Sequence, residues 1–114
     1  MLAPLLALAM QVNDDLTRGS ALYSECKTYI ALMDRSQPIG TDSGTDGGLC
    51  VGYISGFTEG ANVFQGFCVS DTSRNGTAIR VYIAYMDKHP KLFDEPKSVG
   101  LLEALRDAYP CPTK

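Results

Sequence analysis

The sequence predicts an all-α fold, a small disulfide-stapled four-helix bundle of about four to five helices. Three observations carry that prediction. Four segments space their apolar residues three and four apart, the period of one buried helix face. Proline, glycine and cap residues separate those segments. The 114-residue chain also holds four cysteines, which lie in or between the same segments.

The first helix is expected from Ser20, as N-cap, to about Met33. Leu22, Cys26, Tyr29, Ile30 and Met33 form its buried face. Residues 36–48 follow, acidic and rich in glycine, and read as a mobile loop. The second helix then starts near Leu49 and ends near Val63, with Leu49, Tyr53, Ile54, Phe57 and Ala61 as its apolar face. Beside that face Gly52, Gly56 and Gly60 recur every fourth residue, a bare ridge on a helix. Each costs about 0.5–1 kcal/mol relative to alanine in a helix interior. The ridge therefore implies close packing, either inside the subunit or against a second copy of the chain.

A connector through Gly66, Phe67 and Cys68 leads to a turn at 71–76. The third helix, about Thr77 to Lys88, buries Ile79, Tyr82, Ile83 and Met86 until Pro90 stops it. Val81 to Tyr85 has β propensity but lies within this helical period. A tight connector, His89 to Phe93, reaches Asp94 as N-cap, with Glu95 and Pro96 in the first turn. The fourth helix buries Val99, Leu102, Leu105 and Tyr109, and Pro110-Cys111-Pro112 ends it.

Four cysteines admit three pairings. Short turns make neighbouring helices antiparallel. Cys26, late in the first helix, then meets Cys50 at the start of the second. The end of the fourth helix returns to the start of the third, bringing Cys111 to Cys68. The expected bridges are Cys26–Cys50 and Cys68–Cys111, and such pairing points to an oxidising compartment.

Composition narrows the function. The net charge is −3 and no basic run tracks phosphates, so no nucleic-acid partner is expected. No apolar stretch approaches the roughly 20 residues that span a bilayer, so the mature form should not insert into a membrane. Met1 to Ala9 is wholly apolar and ends in Ala7-Leu8-Ala9, like a signal-peptide remnant. The other reading is a buried helical turn. Residues 10–114 then form a single domain.

Chemistry is sparse. His89 is the single histidine, and with the cysteines paired it has no thiol to activate. It reads as a helix C-terminal residue favoured by the dipole. No catalytic group, metal set or cofactor site is expected, so the chain does not read as an enzyme. Asp42-x-Gly-x-Asp46-Gly47 matches part of a calcium loop. Gly44 and Tyr53 stand where that loop needs ligands, so the match fails. Asn75-Gly76-Thr77 fits a glycosylation sequon and also serves as a turn.

Three pieces in order have a family wording: Cys50-x-Gly52-Tyr53-Ile54-x-Gly56-x-x-Glu59-Gly60, Tyr85-Met86-x-x-His89-Pro90, and Ala104-Leu105-x-x-Ala108-Tyr109-Pro110-Cys111. Together they resemble the Rap/Tai immunity proteins over about Leu22 to Cys111. That resemblance implies a periplasmic, all-helical and often dimeric protein. It would neutralise a cysteine-type peptidoglycan amidase delivered by type VI secretion, by plugging the amidase's active-site cleft. The chain departs from the family pattern at Ser73-Arg74, at Thr77, and at Lys91, where glutamate commonly follows His-Pro.

Two surfaces suit such binding. The segment around His89, Lys91, Leu92, Phe93, Asp94 and Glu95 is short, tethered by helices, and sets apolar anchors among charges. The acidic loop with Asp42, Thr45 and Asp46 ranks second, because ordering a loop costs entropy on binding. A rival from another class is a small periplasmic helical chaperone or stress-response protein. Such a protein would expose apolar surface at low pH and bind dye there.

Overall fold

The computed structural model describes residues 16–35, 38, 40–64, 66–69 and 75–112. The signal-remnant expectation for Met1 to Ala9 and most of the 71–76 turn lie outside them. Among the described residues the named helices are α1 (Gly19–Met33), α2 (Thr41–Phe64), α3 (Asn75–Lys88) and α4 (Lys97–Ala108). A 3-10 helix, Pro90–Asp94, joins α3 to α4. Among the described residues there is no strand, only an isolated bridge between Arg18 and Pro96.

Helix α1 is the centre of the bundle, packing on α2, α3, α4 and the 3-10 turn. Its expected inner residues Leu22 and Cys26 are fully buried, whereas Met33 at the last turn is exposed. Ser20 is not its cap. Arg18 takes that position without a side-chain bond. The Gly19 N–H donates instead to the Glu95 carbonyl at 2.8 Å, and Lys97 N–H to that of Thr17 at 2.7 Å. The first N–H of α1 is thus satisfied by backbone of the α3–α4 connection, and the first N–H of α4 by backbone that precedes α1.

The largest departure from expectation is α2. The predicted mobile loop from Thr41 to Gly48 is helical, so α2 is 24 residues long. Its start is closed locally: Gly40 N–H donates to Ser43 Oγ at 2.9 Å, and Ser43 Oγ donates to the Gly40 carbonyl at 3.2 Å. Asp42 in the first turn complements the helix dipole. Gly47 sits against α1, where an added Cβ would lie 3.2 Å from Leu32 Cδ1 and 3.7 Å from Tyr29 Cα. Tertiary contact and the Cys50 tether outweigh the poor propensity of the glycines.

The glycine ridge is also not what intrachain packing would make it. A Cβ built at Gly52, Gly56 or Gly60 meets nothing within 4 Å. The ridge points to open space, and the expectation of close packing inside the subunit is overturned. Alanine at each position is therefore expected to stabilise the isolated subunit by about 0.5–1 kcal/mol. Thermal melts of the triple variant at high dilution check this, and an unchanged or lower melting temperature would refute it.

The cysteines pair as helix order predicts, Cys26–Cys50 and Cys68–Cys111. Around them the core includes Ile54 and Phe67 with Ile79, Tyr82 and Met86 from α3, Leu92 from the 3-10 turn, and Leu101, Ala104 and Leu105 from α4. In α4 the expected phase is displaced. Leu101 and Ala104 take the innermost positions, and Val99, Leu102 and Tyr109 pack at the edge. Met86 near the end of α3 touches Gly100 near the start of α4, an antiparallel arrangement. Asp94 closes the 3-10 turn rather than capping α4, a position taken by Pro96.

Among the described residues one charged side chain enters this core. Glu25 is 8% exposed. Burial pushes its carboxyl above the usual range, Lys97 draws it down, and Asp46 pushes it up. A carboxyl raised by folding favours the protonated form. Its contribution to stability is thus largest at acid pH and declines as pH rises through the raised value. Glu25→Gln is expected to raise the urea midpoint at pH 7 and to change it little at pH 4. Equal shifts at both pH values would refute the burial account.

Candidate functional site

The 3-10 turn and its flanks, His89 to Glu95, form a knuckle held on three sides. Within it, Leu92 N–H donates to the His89 carbonyl at 3.0 Å and Glu95 N–H to that of Leu92 at 3.3 Å. Outside it, the Glu95 carbonyl accepts from Gly19 of α1. The Gly19 carbonyl in turn accepts from the buried Tyr82 hydroxyl of α3 at 3.3 Å. Burial pushes that hydroxyl well above the ordinary tyrosine range, so it serves as a donor throughout the physiological range.

The residues nominated from sequence divide here. Leu92 is 8% exposed and belongs to the core, against the expectation that it anchors a partner. Phe93 is half-buried, its ring edge-on to Tyr23 at 4.9 Å between centroids. His89, Lys91, Asp94 and Glu95 are exposed. The surface is therefore a charged rim around one partly covered aromatic ring.

His89 is fixed rather than free. Its ring stacks on Tyr85 at 4.0 Å, and Nδ1 lies 2.8 Å from the Tyr85 carbonyl. A carbonyl only accepts, so Nδ1 is the donor in this contact. Beside it Val81, Tyr85, Lys88, Ala104 and Asp107 line a groove of about 340 Å³ between α3 and α4. Tyr85 escaped the sequence reading as a site residue. The Tyr85–His89 spacing of four, across the end of α3, was the available signal.

Tyr23 was missed in the same way. Its hydroxyl donates to Asp87 Oδ1, tying the ring that covers Phe93 to α3. That bond, followed by burial, raises the Tyr23 hydroxyl above its ordinary range.

The second nominated surface changes character. Asp42, Thr45 and Asp46 lie on the first turns of α2, with the Thr45 hydroxyl donating to the Thr41 carbonyl at 2.9 Å. They form a helical acidic end rather than a loop. All four cysteines are in disulfides, so His89 has no thiol beside it. Among the described residues no group of histidine, cysteine and carboxylate side chains is arranged to hold a metal.

Comparison with curated proteins and with solved structures gives no significant match. A family model, that of the Rap1a immunity proteins, matches residues 18–111. The match runs from the residue that caps α1 to the last cysteine and so takes in both bridges, the glycine ridge and the knuckle. On that extent the chain belongs to the Rap1a immunity protein family.

Proposed function

We propose that this protein acts in the periplasm, where its knuckle occludes the active site of a type VI secretion peptidoglycan amidase and protects the producing cell. The observation that carries this reading is the knuckle itself. Its backbone is tethered to α1 and α3, while the side chains of His89, Lys91, Asp94 and Glu95 are exposed around the half-buried Phe93. A pre-ordered projection loses little entropy on docking, which suits an inhibitory plug. Both disulfides favour an oxidising compartment. Among the described residues no helix is long and apolar enough to cross a membrane. Inhibition requires no catalytic group of its own, and we assign none.

The test is co-expression with cysteine-type amidases exported to the periplasm, scored by lysis and by pull-down. The intact chain should rescue its cognate amidase. Lys91→Glu, which reverses a charge, and His89→Ala should each weaken inhibition about tenfold or more, above the roughly 1 kcal/mol that separates contributing interface residues from neutral ones. Both side chains are exposed, and the melting curve of His89→Ala controls for its lost stacking on Tyr85. If no amidase is captured or neutralised, the reading fails. If inhibition survives both changes, the knuckle is not the plug. The assembly we propose is a homodimer.

A further inference from the structure

We infer that a second copy of this chain packs along the outer face of α2, antiparallel and centred on Gly56. This rests on the homodimer proposed above and assigns it a surface and a register.

Five large apolar side chains are exposed among the described residues, and three lie on α2. These are Leu49, Val63 and Phe64, at 49%, 77% and 84% exposure. Leu49 and Val63 share the side of the helix that carries Gly52, Gly56 and Gly60, and Phe64 borders it. Those glycines have open space above them. The same edge continues into an apolar cleft of about 400 Å³, where Phe57, Phe64, Phe67 and Leu102 surround Gly60. A monomer gains nothing from this combination. It exposes apolar area at the same place where glycine weakens the helix.

The face is complementary to itself. Leu49 and Val63 lie seven residues either side of Gly56, about 10 Å at 1.5 Å per residue. An antiparallel copy about a two-fold axis at Gly56 sets Leu49 level with Val63 of its mate, and Gly52 level with Gly60. The glycines let the two backbones approach closely, so these side chains can reach across.

Charge selects the same direction. Asp42 and Asp46 mark the N-terminal end of α2. Arg106 stands at the other end, its Nε donating to the Gly66 carbonyl at 3.0 Å. The antiparallel pair brings each acidic end to the other copy's arginine, whereas a parallel pair would place like charges together. The knuckle packs on α1, α3 and α4. Each copy therefore keeps its plug uncovered, and a dimer presents two.

The experiment uses the full chain in three forms. Light scattering on the wild type should give twice the chain mass, and Phe64→Asp should give the single-chain mass with its melting curve intact. Gly56→Cys, on the axis, should form an inter-chain disulfide under mild oxidation, while Cys at the exposed Ser24 of α1 (Ser24→Cys) should not. Arg106→Asp should weaken dimerisation at least tenfold, and adding Asp46→Arg, which this register sets level with Gly66 and its bound Arg106, should restore it. A dimer that survives Phe64→Asp and does not cross-link through position 56 overturns this register but leaves the homodimer standing. A wild type monomeric at 100 μM overturns both.

Discussion

Alanine at position 19 is expected to destabilise this protein by about 2–3 kcal/mol and to abolish inhibition along with it. A Cβ there would land on the Leu92 carbonyl oxygen and lie 3.1 Å from Met86 Cε. The oxygen is backbone and cannot rotate aside, so α1 and the knuckle must separate. Their separation breaks the bond from Gly19 to Glu95 and loosens the Tyr82 hydroxyl from the Gly19 carbonyl.

Gly100 is a useful contrast. Its added Cβ would meet Met86 Sδ at 2.8 Å, the far end of a flexible side chain, so Gly100→Ala should be milder. Chemical denaturation of both variants decides the matter. A Gly19→Ala midpoint equal to the wild type would show that the knuckle gives way freely, and the account of it as a pre-ordered plug would fall.

Reduction has the larger effect. Cys26–Cys50 closes 24 residues and Cys68–Cys111 closes 43. On the loop-entropy model these contribute about 3.5 and about 4 kcal/mol. Domains of this size have about 5–15 kcal/mol in all, so losing either bridge removes a large share. The two should not reduce together. Cys26 and Cys50 are fully buried, whereas Cys68 is exposed and Cys111 half-buried. Titration with a thiol reductant should open Cys68–Cys111 first and leave a folded species with one bridge. Mass spectrometry after alkylation reads the order, and simultaneous loss of both bridges would contradict it.

Much of the architecture was legible in the chain because it rests on local periodicity. The stripes Leu22/Cys26 and Ile79/Tyr82/Met86 recur at helical spacing and are buried where that spacing places them. The disulfide pairing followed from helix order, since short turns leave neighbours antiparallel. The candidate site was legible only in outline. The segment His89 to Glu95 was visible between two helices. Whether Leu92 or Phe93 would turn inward depends on the direction in which α1 crosses the knuckle, and no local pattern encodes that.

The segment Thr41 to Gly48 shows the limit most clearly. Glycine at 44, 47 and 48 argues for a loop by propensity, a weak term that packing overrides. The contact of Gly47 with Tyr29 and Leu32, and the bond from Cys50 to Cys26, bring in residues from another helix. They extend α2 by two turns. By itself, then, the sequence determined the helical class, the cysteine pairs and the family wording, because periodicity and order along the chain are local or topological properties. Only the tertiary structure decided where α2 begins, that its glycine ridge faces outward, and that Gly19 supports the knuckle. Each of those depends on which backbone lies across from which, and that is settled when the helices pack.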